Sequence, residues 1–186
     1  MQVYSVRKIV VESYPVLFLC VLIGLSAGFV LETRLEGIRG TLVVMMVPLL
    51  NGMGGNLGCI LGARLGSALH LGTVEPKLKG QRVLGDNLKA SVLTSVGIFF
   101  FTSAIIFSTT LVWGMGLVGA VKHMLAYVIA GMLLTPVIIA STVISAFISF
   151  KGGLDPDNVV IPIVTAIIDI AATVCLLIIA INIVGV

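Results

Sequence analysis

Apolar side chains run along this chain in blocks about one membrane thick, separated by short polar stretches. A helix crossing the hydrocarbon core needs about 20 mainly apolar residues. Five blocks meet that length: roughly Pro15 to Leu31, Gly40 to Leu69, Leu88 to Val112, His123 to Phe150 and Val159 to Val186. The pattern predicts an all-α, polytopic membrane protein with five transmembrane helices per chain, residues 15–186 forming one five-helix domain. Ahead of the first block, apolar Val6, Ile9 and Val10 are interspersed with Arg7, Lys8 and Glu12. That spacing suits a short interfacial helix over residues 1–14; a frayed tail is the competing reading. Arg7 and Lys8 before an apolar run imitate a secretory signal. Further spans follow and no cleavage site ends the run, so it reads as the first retained span.

Three positions are expected to disturb or shape these helices. NGMGGN beside Pro48 predicts an interruption of the second span. Pro136 predicts a kink in the fourth, because proline lacks the N–H that would satisfy the Met132 carbonyl. Pro162 is expected in the first turn of the fifth, where a missing N–H is cheap.

Composition removes the soluble classes. Of 186 residues, 59% are hydrophobic and 10% charged, and a soluble domain of that size has too little interior to hide so much apolar surface. The formal net charge of +3 sits in short interhelical loops and does not point to nucleic acid. Cys20, Cys59 and Cys175 lie in apolar blocks without CxxC spacing. They read as small buried residues, with no disulfide framework and no metal cluster. Arg7, Lys8, Lys77, Lys79, Arg82, Lys89 and Lys151 fall on one side, with Arg64 near its boundary; Arg34, Arg39 and Lys122 fall on the other. The richer side is expected to be cytoplasmic. This predicts a multi-pass protein of the cell membrane with its N-terminus inside and its C-terminus outside.

Candidate chemistry centres on Asp169, the only charged residue after Asp157. A carboxylate at the middle of a membrane helix costs roughly 2.5–3.5 kcal/mol on insertion scales, so an apolar residue would be cheaper there. At about 1.5 Å per residue, Asp169 lies about 15 Å into its helix, near the midplane. One reading is a cation or proton site facing a pore or helix interface. The other is a structural hydrogen bond, or a pair with a basic residue on another helix. Thr165 and Thr173 stand one turn either side on the same face, and Ala166 and Ala172 keep that face narrow. In the second block Gly54, Gly58, Gly62 and Gly66 make a small-residue ladder that lets another backbone approach. Asn51 and Asn56 bring amide oxygens to the same region. Oxygen ligands suit hard cations such as magnesium; asparagines bonding across helices are the alternative. Asp169, Asn56, Thr165, Asn51 and Thr173 therefore form the candidate metal-binding set.

No catalytic constellation and no required cofactor is read. His70 and His123 fall at segment ends on opposite sides. Asp155 and Asp157 share one loop without a third carboxylate. A helix-start turn explains them; attraction of cations to the pore mouth is the other reading.

The motifs resemble a known family. VPLLNGMGGNLG followed by an arginine is similar to the signature of the MgtE integral membrane domain. GLDPDNVVIPIVTAIIDIAATV resembles the region around that domain's last helix, and the five-span layout matches as well. A solute-carrier family carries the same domain in duplicate. The resemblance implies a magnesium-selective channel or transporter, in which two domains surround a pore lined by the second and fifth helices. It implies that Asp169 holds the hydrated cation, Mg2+ being the transported ion, and that Asn56 is the motif asparagine. One domain per chain then implies a homodimer in the lipid bilayer. Bacterial members carry large cytosolic sensor domains before the first span, where this chain has residues 1–14, so their gate is not carried over. A two-fold axis would set two Asp169 carboxylates near one site, about −2 in charge, facing a cation that keeps several of its waters. The rivals are a proton- or sodium-coupled exchanger of another cation, a membrane assembly subunit without transport, and a metal-dependent lipid-modifying enzyme.

Overall fold

The computed structural model describes residues 6–34, 36 and 42–185. Among these, five α-helices follow one another: α1 (Val6–Glu32), α2 (Val43–His70), α3 (Arg82–Val112), α4 (Gly116–Lys151) and α5 (Pro156–Ile183). Each is long and apolar enough to cross a membrane, and no strand occurs among the described residues. The all-α, five-span reading holds. The predicted start of the second block at Gly40, Arg39 and the terminal Val186 lie outside the described residues. α4, with 36 residues, is about 54 Å long. It therefore tilts within, or projects beyond, a hydrocarbon core of about 30 Å.

Three local details depart from the sequence pattern. α1 runs unbroken from Val6 through Pro15, so the polar-studded N-terminal stretch and the first span are one rod. α2 is continuous across NGMGGN, and the expected interruption is absent. Hydrocarbon offers no water to take over a freed N–H or C=O, so the helical bonds persist through the glycines. α5 begins three residues earlier than the pattern suggested. Asp155 is its N-cap, accepting from the Asp157 N–H at 3.1 Å, and Pro156 takes the first helical position, where it has no bond to lose. Pro162 consequently sits in the second turn. The helix-start reading of Asp155 is the one seen. Gly153, at φ +71°, turns the chain out of α4 in the left-handed region that glycine tolerates.

α5 is the organising helix. It packs against α1, α2 and α4, while α4 also packs against α2 and α3. α1 touches α5 alone, and α1 and α2 do not meet among the described residues. The core gathers Leu50, Leu61 and Leu65 of α2, Leu134 and Ile138 of α4, and Val164 and Ile168 of α5. α3 is held by Phe99, whose ring fills the space a Cβ would take at Gly131 of α4, 2.5 Å away. Tyr127 closes the same contact edge-on, with ring centroids 6.2 Å apart. α1 shows Leu17, Phe18, Leu22, Leu25 and Phe29 to the outside, which is what lipid contact demands. Its N-terminal end is tied to the start of α5 by Glu12. One oxygen of that carboxylate accepts from Asn158 Nδ2 at 3.1 Å and from the Asp155 N–H at 3.4 Å.

Candidate functional site

The glycine ladder of α2 faces α5 directly. A Cβ added at Gly54 would stand 2.8 Å from Ile168 Cγ2, at Gly58 2.6 Å from Val164 Cγ1, at Gly62 3.2 Å from Val160 Cγ1, and at Gly66 2.7 Å from Asp157 Oδ1. Each four-residue step along α2 is matched by a step back along α5, so the pair is antiparallel with one fixed register. Only a missing side chain permits this approach. In lipid, where burial of apolar surface adds little between helices, the contact itself supplies the attraction.

That register aligns the polar flanks of the two helices. Gly55 stands 3.5 Å, measured from a built Cβ, from Thr165 Cγ2. Asn51 Nδ2 donates to Thr173 Oγ1 at 3.4 Å, and the Thr173 hydroxyl donates to the Asp169 carbonyl at 2.7 Å. The threonine has then spent its only proton. Its oxygen accepts from Asn51, which must present its NH2 group. Asn51 Oδ1 is left enclosed and without a partner. Thr165 likewise turns its proton to its own helix, at 2.9 Å from the Pro162 carbonyl. Both threonine oxygens keep lone pairs free for a donor or a cation.

Asp169 lies between these threonines, half-buried. Among the described residues its carboxylate has neither a hydrogen-bond nor an ion-pair partner; the basic side chains Lys77 and Arg82 pair with Glu75 and Asp86 instead. α2 covers one flank of this stretch of α5. α1 approaches the other, where Cys20 Sγ donates to the Pro162 carbonyl at 3.2 Å. Along this stretch of α5, from Asn158 to Leu177, every residue is buried or half-buried, with Thr165 and Asp169 among the half-buried ones.

The structure thus brings Asn51, Thr165, Asp169 and Thr173 together. Asn56 stands apart: it is exposed, about half a turn round α2 from the ladder. It shares the outer face of α2 with Gly52, Ala63, Arg64 and Ser67, and with the apolar Met45 and Ile60, all exposed. That face mixes small, polar and large apolar side chains. Sequence reasoning missed the contact of Glu12 with the start of α5. Its only signal was an acid placed a turn beyond two basic residues at the head of an apolar run. It also missed that Asn51, and not Asn56, is the asparagine bonded to α5.

Chemically the set is all oxygen and amide: one carboxylate, two hydroxyls and one enclosed amide oxygen. Hard cations take such ligands. No group of three His, Cys, Asp or Glu residues that could hold a bare metal ion occurs among the described residues.

Among the described residues, five helices long and apolar enough to cross a bilayer define a multi-pass membrane protein. A family model described as MgtE, divalent cation transporter, matches residues 47–179, from the second turn of α2 to the last turns of α5. The chain belongs to the MgtE divalent cation transporter family, a family of transporters and not of enzymes. Neither a curated protein nor a solved structure matches it.

Proposed function

We propose that this protein carries Mg2+ across the cell membrane through a pore between two copies of the chain, lined by α2 and α5, with Asp169 holding the hydrated ion. The observation that carries the reading is the half-buried Asp169 carboxylate, which has no partner among the described residues, one turn from Thr173, whose partner Asn51 has an enclosed Oδ1 equally without a partner among them. An unpaired charge at that depth is expensive, and a passing cation is the partner that relieves it. Half-buried Thr165 adjoins α2 at Gly55, and the outer face of α2 carries the polar Asn56 and Ser67 among apolar Met45 and Ile60. A second copy related by a two-fold axis would cover these polar groups and bring a second Asp169. Two carboxylates balance a divalent charge, while the threonine and asparagine oxygens accept from its waters. Mg2+ dehydrates reluctantly, so a site that grips the water shell lets the ion leave again. The excess of Lys and Arg at one side orients the N-terminus toward the cytoplasm.

The test is Mg2+ flux into liposomes holding the purified protein, wild type against Asp169→Asn. The substitution keeps shape and removes charge. Flux should vanish while the helical fold and the dimer persist. Wild-type flux in Asp169→Asn would refute the assignment, and failure of the variant to fold would make the carboxylate structural.

A further inference from the structure

A second feature lies between α1 and α5. Beside the end of α1 and the C-terminal part of α5 is a cleft of about 250 Å³, lined by Val30, Val174, Leu177, Ile178 and Ile181, with Thr33 and Arg34 beside them. A single water occupies about 30 Å³ and needs two to four polar partners. This cleft is far larger, and its α5 wall is entirely aliphatic. Arg34 follows the end of the apolar helix α1 at Glu32. It is exposed, and no acidic side chain among the described residues pairs with it. Thr33 turns its hydroxyl back onto the Val30 carbonyl, at 2.8 Å. Glu32 and Glu36, two residues before and after Arg34 and both exposed, neither line the cleft nor pair with Arg34.

We infer that this cleft binds one phospholipid of net negative charge, its acyl chain between α1 and α5 and its phosphate on the Arg34 guanidinium. The aliphatic walls match a hydrocarbon chain. The guanidinium matches a phosphate, which it meets with two parallel hydrogen bonds. A zwitterionic lipid carries its own cation beside the phosphate and gains less. A second copy of the chain carries formal net charge +3 and brings no net anion. The site is independent of which ion is transported, and a bound lipid there would splint α1 to α5, the only helix that α1 touches.

The test is native mass spectrometry of the delipidated, detergent-solubilised full chain, titrated with phosphatidylglycerol or with phosphatidylcholine of the same acyl chains. Wild type should prefer phosphatidylglycerol at one site per chain. Arg34→Gln should lower that preference about fivefold, the factor that one interfacial cation carries toward an anionic surface, and Arg34→Lys should keep most of it. Ile178→Trp, at a position already exposed, should fill the cleft and remove both lipids. An unchanged preference in Arg34→Gln, or unchanged lipid binding in Ile178→Trp, would overturn the inference. So would displacement of the lipid by soluble glycerol phosphate, which would mean that the acyl chain is not held. Crosslinking between chains from a cysteine at Ile178, with neither lipid bound, would assign the cleft to a second copy and overturn it as well.

Discussion

Gly58→Ala and Gly52→Ala add the same methyl group to the same helix and should act in opposite directions. At Gly58 the new Cβ would stand 2.6 Å from Val164 Cγ1 and 3.0 Å from Ile168 Cδ1, with Thr142 Oγ1 at 3.6 Å on the other side. Relaxed carbon pairs sit about 3.5–4.0 Å apart, so α2 and α5 would have to part by about 1 Å. Val164 and Ile168 are fully buried and β-branched, and neither can swing away. Overpacking of this kind costs about 1–3 kcal/mol. Alanine returns up to about 1 kcal/mol as the better helix former. At Gly52 nothing lies within 4 Å of the new atom, so only the propensity gain remains. The two variants should therefore differ by about 1–3 kcal/mol in reversible unfolding, with Gly58→Ala the weaker. Flux should follow for a separate reason. Parting the helices draws Asn51 away from Thr173, a bond already at 3.4 Å, and widens the site. Unfolding and Mg2+ flux measured on the matched pair check both statements. Equal stability of the two variants would show that the ladder is not what sets the distance between α2 and α5. Loss of dimer in Gly52→Ala, with the single chain intact, would place the outer face of α2 in the subunit contact.

Thr165→Cys in a background free of Cys20, Cys59 and Cys175 should crosslink between chains under oxidant or a short bifunctional reagent; a functional monomer, shown by mass and flux together, would refute the two-fold pore. Asn56→Ala should leave unfolding within about 0.5 kcal/mol of wild type, as exposed substitutions do, and show its effect in ion selectivity or rate. If it instead dissociates the dimer and the surviving dimers transport normally, Asn56 is an assembly residue. Glu12→Ala removes the acceptor of Asn158 Nδ2 and of the Asp155 N–H and should cost about 1–3 kcal/mol, with hydrogen exchange rising in the first turn of α5; unchanged exchange there would show that Asp155 caps the helix unaided.

The spans and the ladder were legible because each obeys a local rule. Twenty apolar residues need no tertiary information to be recognised, and a four-residue glycine repeat marks one helix face whatever it meets. Asp169 was legible as an anomaly, a charge where none is cheap. What failed was judgement that depends on surroundings. Glycines beside Pro48 loosen a helix in water, but here the lack of competing solvent and the contact with α5 keep α2 continuous through them. Asn51 and Asn56 look equivalent as letters. Their five-residue separation sets them on different sides of α2, and only the phase fixed by the ladder tells which one reaches Thr173. Glu12 is separated from its acceptor contacts at Asp155 and Asn158 by more than 140 residues, and no local pattern announces such a bond.

Five crossings also bear on how two copies of this chain can be joined in evolution or by design. If each of the five helices described here crosses once, Val6 and Ile183 fall on opposite faces of the bilayer. A short linker from the end of one copy to the start of the next would therefore force the second copy upside down. Such a tandem would be pseudo-symmetric about an axis in the membrane plane. To keep both copies upright, a fused gene has to insert an additional crossing, or a linker helix long enough to return through the membrane. Assembly from separate chains avoids that requirement, and it leaves the relative orientation of the two halves to insertion alone.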